Sequence, residues 1–167
     1  EQNQRLAGIL EASLNEVYVF DANSFLFEHA NKCARENLGY SMEELLILHA
    51  WNVNPDYSEE YYRNLIRPLL SGEKTLLNID GNLKRKDGSQ YPVEVRLQVH
   101  RERNKDLIVA IANDISERMA RERETQAARE KAERMAYFDA LTQLPNRAGC
   151  QREAERLFGP ENPDRPA

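Results

Sequence analysis

A ten-residue stretch with strictly alternating side chains constrains the fold of this chain more than any other feature. Its apolar positions are Tyr91, Val93, Val95, Leu97 and Val99, and between them stand Pro92, Glu94, Arg96, Gln98 and His100. Successive side chains of a β-strand point to opposite faces of the sheet. The pattern therefore predicts a strand with one buried face, and the Asp87-Gly88 pair before it is typical of a hairpin turn.

Other segments show patterns of strands and short helices. The predicted strands are residues 17–20, 25–27, 75–84, 91–100 and 107–112, and the predicted helices are residues 31–38, a capped turn that starts at Ser41, and residues 58–70. Two strands, several helices and three strands follow one another in that order. This order predicts an α+β fold, a five-stranded antiparallel sheet with short helices on one face. Residues 1–15 are predicted to add an N-terminal amphipathic helix.

Composition excludes several classes of function. The net charge is −5 at a pI of about 5.4, and the basic residues form no extended cluster, so no nucleic-acid partner is expected. No segment approaches the ~20 apolar residues that span a bilayer, so no membrane insertion is expected. Cys33 and Cys150 lack a metal-ligand spacing and the three histidines do not cluster, so no metal site is predicted. Reduced thiols favour a cytoplasmic location.

A long charged segment, residues 116–138, follows the last predicted strand. Residues 116–135 contain no Gly or Pro and many Arg and Glu residues, which predicts a continuous helix roughly 30 Å long. A helix that is polar on all sides needs a partner, most simply the same helix of a second chain. The best heptad seam is Thr125, Ala128, Ala132 and Met135. Ile115 and Met119 begin another seam, and the two join at a three-residue step typical of a stammer.

Several motifs, in this order, resemble the PAS family over roughly residues 6–118. They are Asp21-Ala22-Asn23-Ser24-Phe25, Asn31-Lys32-Cys33-Ala34, Leu38-Gly39-Tyr40-Ser41-Met42-Glu43-Glu44-Leu45, Lys86-Asp87-Gly88-Ser89 and Asp114-Ile115-Ser116-Glu117-Arg118. The resemblance implies a PAS domain at residues 16–115, and a fold whose cavity holds haem, a flavin, a small metabolite or nothing.

The segment from Tyr137 to Arg147 resembles the opening of a GGDEF domain, the catalytic domain of diguanylate cyclases. The family run is Asp-x-Leu-Thr-Gly-Leu-x-Asn-Arg, and here Gln143 stands in place of the Gly. The signature Gly-Gly-Asp-Glu-Phe does not occur in the sequence, so the chain holds no predicted catalytic residue and is not expected to make cyclic di-GMP. Residues 139–167 are predicted to be the truncated start of such a domain and a tail.

The sequence leaves several classes of ligand open for the predicted cavity. A haem ligand would fall near Tyr61 on a helix without histidine, so haem is not expected. The photoreactive flavins need a cysteine motif that is absent. A redox flavin stays open: Trp51 would stack on its ring system, and Asn52 would form a hydrogen bond with the edge of the ring. A small apolar metabolite, or no ligand, is the favoured expectation. The other candidate lining residues are Phe20, Leu38, Leu65, Leu69, Ile79, Val93, Leu97 and Val109.

These features predict the sensory and dimerisation region of a PAS–GGDEF signalling protein that regulates cyclic di-GMP synthesis. The chain would form a homodimer through the linker helix and the PAS domain. The signal would pass through Asp114, Ile115 and Met119 to the seam of the long helix. The alternatives are a ligand-free PAS module for protein–protein interaction, and the sensor of a GGDEF–EAL dual protein or of a degenerate GGDEF protein.

Overall fold

The computed structural model of this protein describes residue 8, residues 10–102 and residues 104–158. Its strands are β1 (Glu16–Asp21), β2 (Phe27–Ala30), β3 (Leu77–Lys84), β4 (Gln90–Arg101) and β5 (Asp106–Asp114). Its helices include α1 (Lys32–Leu38), α2 (Met42–Leu45), α3 (Glu59–Leu70), α4 (Ser116–Tyr137) and α5 (Arg147–Phe158), with a 3₁₀ turn at Ala50–Asn52. They fall into two compact units, one that runs to Glu117 and one that begins at Arg118.

All five strands form one antiparallel sheet in the order β2-β1-β5-β4-β3. The first and last strands of the sequence, β1 and β5, are neighbours at its centre, which brings the start of the domain beside its exit. On β4 the residues Tyr91, Val93, Val95 and Leu97 are buried, as their alternation predicts. The predicted α+β fold with a five-stranded antiparallel sheet is therefore confirmed.

Side-chain caps position the short helices. Asn31 caps α1 by accepting from the backbone of Ala34, and the same oxygen accepts from Val17, while its amide donates to the carbonyls of Leu10 and Asn15. This fully buried side chain therefore ties α1, β1 and the segment before β1 together. The predicted capping box of Ser41 and Glu44 is confirmed in α2.

One turn differs from the sequence prediction, and a second turn adds detail to it. Phe25 was expected to begin a strand, but it has a φ of 61° and β2 begins at Phe27. The carboxylate of Asp21 accepts from the backbone of Asn23 and Ser24, and its carbonyl accepts from the backbone of Phe25, so these bonds close the turn in which Phe25 lies. The hairpin between β3 and β4 turns at Gly88, with a φ of 90°.

The second unit holds most of α4, a turn and α5. From Arg121 to Ala136 every residue of α4 is exposed, and its charged residues form pairs one helical turn apart, such as Arg129 with Glu133 at 3.7 Å. Residues 139–146 form a hydrogen-bonded turn that leads into α5. In the part of the chain that the structure describes, none of the helices is both long enough and apolar enough to cross a bilayer.

Two predictions fall largely outside the described residues. The N-terminal helix of residues 1–15 is covered only at residue 8 and from Leu10, and residues 8, 10 and 11 are helical. The tail beyond Phe158 is not described.

Candidate functional site

A small cavity lies between the sheet and the helices of the first unit. Its walls come from the inward faces of the five strands, from the segment after the 3₁₀ turn and from α3. The lining residues are Tyr18, Phe20, Phe27, Ala50, Val53, Asn54, Tyr62, Ile79, Leu83, Val95, Leu97, Ala110 and Ala112. Ala110 and Ala112 of the central strand β5 contribute short side chains to its wall.

The cavity has a volume of about 30 Å³. One water needs roughly 10–15 Å³ by the same measure, so the space has room for about two or three waters. Ligand sites for drug-sized molecules usually measure about 300–1,000 Å³. A metabolite or a cofactor ring would therefore enter only if the surrounding side chains moved apart.

Apart from Tyr18, whose hydroxyl donates to Glu16, the polar residues of the lining are Tyr62 and Asn54. Tyr62 of α3 is buried, and burial raises the pKa of its hydroxyl to about 12, while a hydrogen bond with the Asn54 side chain acts in the opposite direction. Asn54 is itself buried and also accepts from the backbone of Asp56. The pair supplies a donor and an acceptor to the cavity wall, so a small polar group or a water has hydrogen-bond partners there.

The eleven predicted lining residues lie in three places. Phe20, Ile79 and Leu97 line the cavity. Six others lie outside the lining: Leu38, Leu69 and Val93 are buried in the core, Trp51 and Leu65 are half-buried against it, and Asn52 is exposed and accepts from the backbone of His49. Val109 and Tyr61 point elsewhere. Val109 alternates with Ala110, so its side chain lies on the opposite face of the sheet.

Tyr61 and Trp51, the two aromatic candidates for cofactor contact, pack against other protein rings. Tyr61 is 48% exposed and stacks on Tyr57, with 4.4 Å between ring centroids. Its neighbour Tyr62 takes the inward position because it shares a face of α3 with Ile66 and Leu69. Trp51 stacks on His49 at 4.6 Å and packs against Phe25. Both residues already have aromatic neighbours in this arrangement.

A second polar cluster, which we call the exit network, consists of Glu16, Tyr18, Asn37 and Tyr91. The Glu16 carboxylate is 2% exposed. Its Oε2 accepts from the hydroxyl of Tyr18 at 2.5 Å and from that of Tyr91 at 2.9 Å, and its Oε1 accepts from the amide of Asn37 at 2.5 Å. Burial raises the pKa of Glu16, the three donors lower it, and the charge of Asp114 raises it.

The exit network and most of the cavity lining were not predicted from the sequence. Tyr18 and Val95 follow the strand alternation that predicted Phe20, Val93 and Leu97, so the same pattern contains them. Glu16 gives no such signal, because a charged residue before an apolar run is typical of an exposed strand end.

The predicted signal residues begin at the end of the sheet. Asp114 accepts from the backbone of Ser116 at 2.8 Å and caps the start of α4, and Ile115 is buried and donates its backbone N–H to the carbonyl of Pro92. Met119 is half-buried. The other predicted seam residues, Thr125, Ala128, Ala132 and Met135, are all exposed on α4.

The turn after α4 is built by the residues of the motif at 139–147. One carboxylate oxygen of Asp139 accepts from the backbones of Leu141 and Thr142 and from the Thr142 hydroxyl. These donors lower the pKa of Asp139. Asn146 donates to the carbonyl of Ala136 and accepts from the backbone of Gly149. Side-chain hydrogen bonds therefore fix the junction between α4 and α5.

The comparisons with known proteins identify the first unit. A model of the PAS domain family matches residues 15–117. The chain belongs to the PAS domain family. PAS domains are typical of sensory signalling proteins, and they commonly dimerise.

Solved PAS domains share the fold. The PAS domain of an HTR-like protein from Haloarcula marismortui is 28% identical, with a TM-score of 0.60, over 68% of this chain and 92% of that one. A domain of a sensory box sensor histidine kinase/response regulator from Geobacter sulfurreducens is 18% identical, with a TM-score of 0.57, over 68% of this chain and 94% of that one. The second likeness shows the fold alone.

One sequence relative extends past the PAS domain. An uncharacterised protein from Azorhizobium caulinodans is 27% identical over 148 residues, which make up 86% of this chain and 19% of that protein. The chain thus spans about a fifth of the length of this relative.

Proposed function

We propose that the chain is the sensory and dimerisation region of a cytoplasmic PAS–GGDEF protein and regulates the synthesis of cyclic di-GMP. The supporting observation is the junction after α4. Asp139, Thr142 and Asn146, which carry the resemblance to a GGDEF opening, are also the residues whose side chains hold that turn together. The catalytic residues of such a domain would lie outside this chain, which by itself makes no cyclic di-GMP.

The backbone at Gln143 adds support. Gln143 has a φ of 57°, in the left-handed region where glycine is favoured. The GGDEF pattern has Gly at this position. The local backbone therefore suits the family pattern even where the sequence departs from it.

Helix α4 supplies the route from sensor to output. It is polar and is exposed from Arg121 to Ala136, and such a helix gains little stability alone. We propose a second copy of the chain as its partner, with additional pairing through the PAS domain. Two GGDEF domains must meet face to face with one GTP each, so an input that sets the geometry of a dimer suits this reaction. The small side chains of Ala128 and Ala132 leave the seam weak enough for two registers.

The signal that this PAS domain detects has two candidate forms. A small apolar metabolite with one polar group would suit the apolar walls and the Tyr62–Asn54 pair, and a flavin or a haem would require larger movements of the walls. The second candidate is a PAS module without a ligand that responds to a protein partner. The volume of about 30 Å³ favours this second form for the arrangement described here.

The test is an assay on the complete natural protein. It is expressed, supplied with GTP and Mg²⁺, and cyclic di-GMP is measured by liquid chromatography. The proposal predicts product whose rate changes when Ala128 and Ala132 are both replaced by Leu. An exposed residue outside the seam, Arg123→Lys, serves as the control and should leave the rate unchanged. Absence of product at every protein concentration would contradict the proposed output.

A further inference from the structure

The exit network contains the buried carboxyl of Glu16, which lies near the end of the sheet from which the chain enters α4. Glu16 begins β1 and pairs across the sheet with Ala112 of β5, two residues before Asp114. The three donors come from separate elements, with Tyr18 on β1, Tyr91 on β4 and Asn37 on α1. The hydrogen bonds of the carboxyl therefore join β1 to β4 and to α1.

Both tyrosine hydroxyls donate to the same oxygen of Glu16. A carboxylate accepts both bonds, but a proton on that oxygen makes it a donor. At least one hydroxyl must then rotate away or become an acceptor. With the proton on Oε2, the carboxyl cannot keep all three bonds in their present directions, so this neutral form and the ionised form require different arrangements of the network.

A short chain of bonds connects this network to the start of α4. Tyr91 is followed by Pro92, whose carbonyl accepts from the backbone of Ile115 at 3.1 Å. Asp114, beside Ile115, caps α4 through Ser116. A shift of Tyr91 therefore moves the acceptor that holds the first residue after the sheet.

We propose that Glu16 is a proton-linked switch, in which protonation of its carboxyl rearranges the exit network and repositions the Asp114–Ser116 segment at the start of α4. The ionisable groups that surround the carboxyl are Tyr18, Tyr91, Asp114, Cys33 and Arg85. Arg85 lies over the Tyr91 ring at 4.0 Å and donates to the carbonyl of Asn37, so a cation at the domain surface touches two members of the network. The inference concerns the PAS domain and its exit, and it holds whatever output domain follows.

The charges around the carboxyl have opposing effects. Burial and the Asp114 carboxylate favour the neutral carboxyl, and the three donors favour the ionised form. Their balance raises the pKa of Glu16 above its ordinary value. The proton is therefore taken up at a higher pH than by an ordinary carboxyl.

The experiment is an NMR titration of the whole chain with 13C-labelled glutamate and 15N-labelled backbone. The side-chain carboxyl signal of Glu16 is assigned from its loss in Glu16→Gln. We expect it to titrate above the ordinary glutamate value of about 4.3, and we expect the amide signals of Ile115 and Ser116 to move with the same midpoint. An ordinary midpoint, or exit amides that stay still while Glu16 titrates, would overturn the proposal.

Two variants make the test specific. Tyr91→Phe keeps the ring beneath Arg85 and removes one donor, so the midpoint of Glu16 should rise by roughly one pH unit. Glu36→Gln, an exposed carboxyl on the same helix as Asn37, should leave the Glu16 midpoint and the exit amides unchanged. An unchanged midpoint in Tyr91→Phe would overturn the assignment of the network even if Glu16→Gln failed to fold.

Discussion

Replacement of Leu97 by Ala tests whether the PAS cavity can bind a small ligand once it is enlarged, or is only a defect in the packing of the core. Leu97 is 1% exposed and lines the cavity. Its loss removes about three buried carbon groups at ~0.8 kcal/mol each, and an added cost follows from the enlarged void. Since part of its surroundings is already empty, we expect a loss of about 3 kcal/mol, in the lower half of the range for such changes.

The enlarged cavity should bind a small apolar probe. Benzene at ten times its Kd would restore about 1.4 kcal/mol to the variant and nothing to the wild type, whose cavity of about 30 Å³ is too small. The assay is urea unfolding followed by the fluorescence of Trp51, the single tryptophan, which packs against Phe25 within the PAS unit.

A matched variant separates the cavity from general core damage. Leu45→Ala removes the same atoms from a fully buried position on α2 that is not part of the cavity lining. It should lose stability to a similar extent but gain less from benzene. The reasoning would be refuted by equal rescue of both variants, by benzene binding to the wild type, or by a loss below about 1 kcal/mol in Leu97→Ala.

Three further predictions concern the junction, the seam and the core. Gln143→Gly relieves a left-handed backbone and should stabilise the turn by up to about 1 kcal/mol. Gly149→Ala places a methyl group against the carbonyl of Tyr137 and should lower the helicity of α5, despite the better helix propensity of Ala. NMR amide exchange measures the stability of both variants, and the reverse order of stability would contradict the turn geometry. Replacing Ala128 and Ala132 by Leu should tighten the dimer in sedimentation experiments, and an unchanged association constant would remove these residues from the interface. Because burial raises the pKa of Tyr62 from 10 to about 12, its contribution to stability is present below pH 10 and is lost as the pH rises through 12. The Tyr62→Phe variant should therefore resist alkaline unfolding better than the wild type, with unfolding followed by circular dichroism.

Much of the fold follows from local patterns. The alternation on β4 and the Asp-Gly turn predict a hairpin, and Ser41 with Glu44 predicts a capped helix start, because each of these signals depends on neighbours in the sequence. Phe25 was misplaced for the opposite reason. Its β-rich surroundings favour a strand, but the carboxylate of Asp21 closes the turn and overrides that preference.

The site was harder to predict than the fold. Val109 lies in an apolar run on a central strand. Both faces of such a strand carry apolar residues, so the sequence shows no alternation that would tell on which face the Val109 side chain lies. Tyr61 and Tyr62 are adjacent on α3, and only the packing of Ile66 and Leu69 decides which ring turns inward. Composition does not distinguish a cavity from a filled core, because both are lined by the same kinds of side chains.

The exit network was not predicted from the sequence for a different reason. Glu16 obtains its partners from residues as distant in sequence as Tyr91. A buried carboxyl with three donors depends on tertiary structure, and the sequence around Glu16 resembles an ordinary exposed strand end. Such a group is recognised only once the strand order places β1 and β4 on either side of β5.

The most direct test of the account is native mass spectrometry of the purified 167-residue chain, because the central claim is that this PAS module works as a dimer joined through α4. The account predicts a dimer, and any additional bound mass would give the class of ligand. The same measurement on a chain with Ala128 and Ala132 both replaced by Glu should show a weakened dimer, since like charges would meet in the seam. A monomer for the unaltered chain would contradict the role assigned to α4.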